Sequence, residues 1–188
     1  MGVAVKISAQ RRARRAFLCA AISLIIAPAL AAHSASPLKT AQEIVVAAPP
    51  EKVWALVADF QHWDWLPDVA TIEGSGGATP DKDWRRLTLV NGLVVEQSLI
   101  RLDPDRKMIG WHIDQADVSW LPAVNYTGFV TVRAGENGQS IVEWKARYYR
   151  GFPYADPPAN LNDDAAEAAV TALHAAALAA LKARAEAK

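Results

Sequence analysis

Hydrophobic and polar positions change period along the chain, and the changes outline the elements. TAQEIVVA, Thr40 to Ala47, reads as a strand that ends at Pro49-Pro50. Pro50 suits a helix start, because its missing N–H is not needed in the first turn. In the EKVWALVADF that follows, Val53, Leu56, Val57 and Phe60 recur at helical spacing. HWDWLPDV then predicts a second short helix or turn closed by Pro67.

From Val69 the period becomes two. Strands are expected at Val69 to Glu73, Arg85 to Val90, Leu93 to Leu102, Met108 to Asp114, Ala123 to Arg133 and Ile141 to Arg150. Asn91-Gly92 and Asn137-Gly138 are hairpin signals, and Asp103-Pro104-Asp105 is a turn. After a Pro-rich loop, Asn162, Asp163 and Asp164 offer an N-cap and favourable negative charge. The Ala-rich run Ala165 to about Ala187 contains no Gly or Pro and reads as one long helix. Adjacent strands with helices at either end imply an α+β arrangement with an antiparallel sheet.

Alternation also assigns faces. Ile109, Trp111 and Ile113 share an apolar face, with His112 opposite. Val124, Tyr126, Gly128, Val130 and Val132 are expected to point inward, as are Val142, Trp144, Ala146 and Tyr148. In GLVVEQSLIRL, one phase holds Val94, Glu96, Ser98, Ile100 and Leu102, and its apolar majority assigns it to the core. That brings Glu96 and Ser98 among Trp111, Tyr126, Trp144 and Tyr148. A buried carboxylate needs a partner, water, a raised pKa or a ligand. Polar groups converging on an apolar concavity describe a ligand pocket. The helix stripe Val170, Leu173, His174, Ala177 and Leu181 would cover this face, and its alanines leave volume unfilled.

Composition changes this picture mainly at the N-terminus. Lys6, Arg11, Arg12, Arg14 and Arg15 precede an apolar run from Ala16 to Ala32, and Ala29-Leu30-Ala31 offers a small-x-small cleavage site. This is the layout of an export signal over residues 1–31, followed by a flexible leader at 32–39 and one domain at 40–188. RRAFL resembles a twin-arginine signal, and a Sec signal fits the same pattern. The expected location is periplasmic or secreted. The whole chain of 188 residues balances 20 basic against 20 acidic groups. Without residues 1–31 there remain fifteen basic and twenty acidic groups, a net charge of −5, which argues against a nucleic-acid binder. Cys19, the only cysteine, lies in the signal, so the mature chain has no disulfide, thiol nucleophile or Cys metal ligand.

No histidine pair has metal-ligand spacing, no Gly-rich phosphate loop is present, and Ser98 lacks plausible triad partners. No metal or cofactor is expected. His62 and His112 read as exposed, His33 as part of the leader, and His174 as a core or rim histidine. Trp63, Trp65 and Trp120 fall in connecting segments near the expected pocket mouth, where they would form a mobile gate or touch a membrane transiently, with core packing as the other reading of Trp65.

Several stretches resemble one superfamily. LPAVNYTGFVTV (Leu121 to Val132) and IVEWKARYY (Ile141 to Tyr149) are similar to the polyketide cyclase/dehydrase-like branch of the START/Bet v 1-like (SRPBCC) superfamily. IVVAAPPEKVWALVADFQHWDWLP and VVEQSLIRLDPDRKMIGWHI fit the same pattern, so the resemblance covers about residues 40–185. It implies a helix-grip fold: a curved seven-stranded antiparallel sheet wrapped on a long C-terminal helix, with a deep hydrophobic cavity between them. It also implies a small hydrophobic partner, since members bind lipids, sterols, polyketides, quinones or plant hormones, and some are cyclases or dehydratases. Glu96, Trp111, Tyr126 and Trp144 fall where the family has its recurring Glu and aromatics. The expected function is binding of a hydrophobic or amphipathic ligand by Glu96, Ser98, Trp111, Tyr126, Trp144, Tyr148, Trp120 and Trp65. The alternative is a cyclase or dehydratase using Glu96 and Tyr126 as acid and base.

Overall fold

The computed structural model describes Met1 and residues 35–187. The expected export signal at 1–31 and the first residues of the leader lie outside the described residues, apart from Met1. The chain divides into two units, Met1–Ala31 and Ala32–Lys188, and everything below concerns the second.

Seven strands form one antiparallel sheet: β1 (Leu38–Val46), β2 (Val69–Gly74), β3 (Trp84–Leu89), β4 (Val94–Asp103), β5 (Met108–Gln115), β6 (Ala123–Ala134) and β7 (Ser140–Arg150). Their spatial order is β1-β7-β6-β5-β4-β3-β2. From β2 to β7 each strand therefore lies beside the one before it, while β1 joins the far edge beside β7. Two α-helices complete the unit, α1 (Pro50–Ala58) and α2 (Asp163–Glu186). The α2 helix packs against β1 and β7 and touches α1. This is the expected helix-grip arrangement. The first strand begins at Leu38, two residues before the apolar pattern does, because Leu38 and Lys39 pair with Tyr148 and Arg147.

Local signals explain the boundaries. Pro50 opens α1. The Asn162 side chain accepts a hydrogen bond from the Ala165 N–H at 2.8 Å, and Asp163 and Asp164 occupy the first turn of α2. Gly92 at φ +83° makes the β3–β4 turn, which Asn91 Oδ1 braces by accepting from the Leu93 N–H. One expectation fails in part. The segment after α1 is a series of turns, not a second helix. It is held by the His62 N–H donating to Asp59 and the Leu66 N–H donating to Trp63.

The core lies between the concave sheet face and the two helices. The expected inward sets on β5 and β7 are all buried, as are Tyr126, Val130 and Val132 on β6. Val124 is only half-buried, because a bulge between Val124 and Thr127, with Asn125 at φ +52°, puts Ala123 and Tyr126 on the inner face instead.

The fourth strand reverses the expectation. Val95, Gln97 and Leu99 point inward, at 1 %, 6 % and 0 % exposure. Glu96 and Ser98 lie on the outer face. The β3–β4 hairpin sets this phase. Leu87 pairs with Val95 and Arg85 with Gln97, whereas Arg86 pairs with Glu96 and Trp84 with Ser98. Directly paired residues share a sheet face, and β3 buries Arg85, Leu87 and Leu89. A register shift between Leu99 and Arg101 then changes the phase, so Leu102 pairs with inward Ile109. Leu102 therefore belongs to a different phase from Glu96 and Ser98, and Ile100 is the unpaired residue at the shift.

Candidate ligand cavity

A cavity of about 390 Å³ opens between the sheet and the C-terminal half of the chain. Its sheet wall comes from Leu87 and Leu89 of β3, Trp111 and Ile113 of β5, Tyr126 of β6 and Trp144 of β7. Its helix wall is Ala169, Ala172, Leu173 and Ala176. Small residues there leave open the space that larger ones would fill. Leu66 to Asp68 and Trp120 to Leu121 contribute wall from loops, and Val69 from the start of β2.

Trp111, Tyr126 and Trp144 line the cavity, and half-buried Trp120 joins them. Five other expectations need correction. Glu96 accepts from Arg86 Nη2 at 2.7 Å and Ser98 donates to Asp114 at 2.5 Å, both on the outer face. Tyr148 is buried behind the wall, its hydroxyl 2.6 Å from Thr40 Oγ1. Trp65 packs on Trp63 with ring centroids 5.2 Å apart and is not a lining residue. Trp63 itself is no surface gate: it is 1 % exposed, and its Nε1–H donates to the Val57 carbonyl at 3.0 Å. Its ring meets Trp111 and Trp144 edge-on, at 5.0 and 5.9 Å between centroids. Such edge contacts suit the quadrupoles of aromatic rings.

Three polar groups were missed or undervalued in the sequence. Arg85 lines the cavity and is fully buried. Its Nε–H donates to Gln97 Oε1 at 2.8 Å and its Nη1 to the Phe60 carbonyl at 2.6 Å. Nη2 has no partner among the described residues. The guanidinium lies between two rings, its Cζ 4.2 Å from the Phe60 centroid and 4.0 Å from that of Trp63. Burial pushes its pKa down, but arginine starts so high that it keeps its proton. The two π faces offset part of the desolvation. Gln97 is the second group, lining the cavity beside Arg85. The signal for Arg85 was present: in WRRLTL it shares its period-two phase with Leu87 and Leu89.

His174 is the third, fully buried on α2. Its Nε2 is 2.8 Å from the Tyr126 hydroxyl, which also accepts from the Trp144 Nε1–H at 3.0 Å. Burial lowers the His174 pKa to about 4, so the ring is neutral at pH 7. Burial also pushes the Tyr126 hydroxyl well above its ordinary value. Nδ1 of His174 has no partner among the described residues. Among the described residues, no group of three His, Cys, Asp or Glu side chains could hold a metal ion.

Comparison with known proteins places this geometry in a family. No curated protein matches the sequence significantly. Among solved structures, a Bacillus thuringiensis protein superposes with a TM-score of 0.65 at 23% identity, covering 78% of this chain and 98% of its own. The protein XoxI from Bacillus cereus gives 0.64 at 22%, with 78% and 94% covered. Norcoclaurine synthase from Thalictrum flavum, solved in complex with dopamine and hydroxybenzaldehyde, gives 0.59 at 15%, with 80% and 87% covered. These likenesses show the shared fold. The family model described as polyketide cyclase/dehydrase and lipid transport matches residues 37–186. A sheet gripping a long helix around an aromatic cavity, over a match of nearly the whole described unit, makes this chain a member of the polyketide cyclase/dehydrase and lipid transport family.

Proposed function

We propose that this chain is an exported protein that binds a small, largely apolar molecule with a polar end in the cavity between sheet and α2. The observation that carries the reading is the cavity itself. Its wall is mostly aromatic and aliphatic, interrupted by Arg85, Gln97, Tyr126 and, on an exposed loop, Asp68. Few polar groups on an apolar concave wall are what orient a small ligand. The volume lies near the low end of the roughly 300–1,000 Å³ that such sites span. That favours a ring system, such as a quinone or polyketide-like molecule, or one short chain, over a two-chain lipid. The neighbour solved with two small aromatic molecules is consistent with this size class. Export is supported by the basic, apolar and small-residue order of residues 1–31.

A cyclase or dehydratase using Glu96 and Tyr126 is less well supported. Glu96 is tied to Arg86 on the other face of the sheet. Tyr126, with its pKa raised, is a weak acid for the purpose.

The test is to express the full chain, recover the protein from the exported compartment, and identify by mass spectrometry what denaturation releases. A stoichiometric small molecule of ring or single-chain type supports the reading. Retention in the cytoplasm would overturn the export part. Repeatedly empty protein that also binds no hydrophobic probe would overturn the binding part.

A further inference from the structure

The polar part of the cavity wall offers hydrogen-bond donors and a positive charge. Among the described residues Arg85 has no carboxylate partner: its donors reach an amide oxygen, a backbone carbonyl and, for Nη2, nothing. A buried cation left in this state is costly, and an anion that reaches it recovers much of that cost. Because the Arg85 Nε–H must donate, it fixes the Gln97 amide with Oε1 towards the guanidinium. The Gln97 Nε2 amino group is then the other arm of an amide that lines the cavity.

Tyr126 adds a further donor. Nδ1 of buried His174 lacks a partner, so it carries either an orphaned N–H or an orphaned lone pair. Orphaned buried N–H groups are the rarer of the two. In the tautomer with the proton on Nε2, Nδ1 keeps only a lone pair and Nε2 donates to the Tyr126 oxygen alongside the Trp144 Nε1–H. Both acceptor positions of that oxygen are then filled, and the Tyr126 O–H is left to donate to whatever the cavity holds. The one carboxylate on the cavity wall, Asp68, is exposed on a loop and forms no ion pair with the buried Arg85 among the described residues.

Resting on the small-molecule reading above, we infer that the Arg85–Gln97 end of the cavity is a receptor for the carboxylate of a small ring-containing acid. The Gln97 amide would donate to the carboxylate, and the Arg85 charge, held between Phe60 and Trp63, would balance it. The apolar rings of the ligand would lie against Trp111, Ile113 and Trp144. A primary amine of the same shape finds only a buried cation and donors there, and is rejected.

Isothermal titration of the full chain with naphthylacetate, naphthylacetamide and naphthylethylamine tests this. The three share a ring system and differ in the charge of one end. The acid is expected to bind about tenfold or more tighter than the amide, with the amine weakest. Gln97→Glu sets a built-in carboxylate beside Arg85, so it should abolish the advantage of the acid and raise Tm. Arg85→Met, checked for folding by far-UV circular dichroism, should abolish the same advantage. Equal affinity of acid and amide for the unmodified protein would overturn the inference and leave the small-molecule reading standing. Binding of none of the three would overturn the inference and count against the cavity reading as well. A Gln97→Glu protein that still prefers the acid would also overturn it.

Discussion

The Tyr126 hydroxyl and His174 Nε2 lie 2.8 Å apart and join the sheet to the C-terminal helix through the core. Both residues are buried, and the Trp144 ring packs beside His174 at 5.3 Å between centroids. No carboxylate takes part in this contact, so desolvation alone governs the imidazole.

Burial of the His174 imidazole makes stability depend on pH. His174 titrates near 4 in the folded chain and near 6.5 in the unfolded one. Between these values the unfolded chain binds more protons, so stability falls as pH falls from about 6.5 to 4. The loss attributable to this residue is on the order of 3 kcal/mol at most. Urea midpoints of the native and His174→Phe proteins across this window should differ in slope, the variant being flatter. Equal slopes would refute the buried neutral imidazole. Comparing the two proteins cancels the carboxylates with lowered pKa, such as Asp83 and Asp103, which lose stability at still lower pH.

Gly128 on β6 is the point where Trp111 and Tyr126 close over the sheet. A Cβ there would lie 2.7 Å from Trp111 Cζ2 and 2.8 Å from Tyr126 Cε1. Gly128→Ala must displace two cavity-wall rings, at a cost of about 1–3 kcal/mol. Guanidinium unfolding should show this loss, and near-UV circular dichroism should show altered tryptophan packing. An unchanged midpoint would mean that the rings are looser than described.

Glu96 pairs with Arg86 at a partly exposed site. Exposed pairs of this kind contribute about 0–1 kcal/mol. Glu96→Gln should therefore change stability little and leave ligand affinity intact, as read by titration with the naphthyl series. A tenfold loss of affinity would place the carboxylate in the cavity after all.

Trp120 follows a short turn and lines the cavity while half-buried. Trp120→Ala should raise both entry and exit rates in stopped-flow tryptophan quenching, with a smaller change in affinity. If the protein carries ligands between membranes, the same variant should change the rate of vesicle-to-vesicle transfer. Unchanged rates would assign ligand entry to another part of the wall.

Much of this protein was determined locally and is legible in its sequence. Alternation in MIGWHI, NYTGFVTV and IVEWKARYY orients β5, β6 and β7, because each has one strongly apolar phase. Pro50, Asn91-Gly92 and Asn162 mark boundaries through backbone chemistry that needs no distant partner. Trp111, Tyr126 and Trp144 follow from that alternation as cavity residues. The tertiary structure decided the rest. VVEQSLIRL has apolar residues in both phases, so its orientation depends on pairing with β3 and on a register shift beyond Leu99. Those are non-local facts, and they replaced Glu96 with Gln97 on the inner face. They also gave Arg85 its place: a charged residue is assigned outward by default, and only burial between Phe60 and Trp63, brought in from the segment after α1, makes its inward position tolerable. The cavity is likewise a tertiary property, since the volume left between a curved sheet and a row of alanines depends on how closely helix and sheet approach.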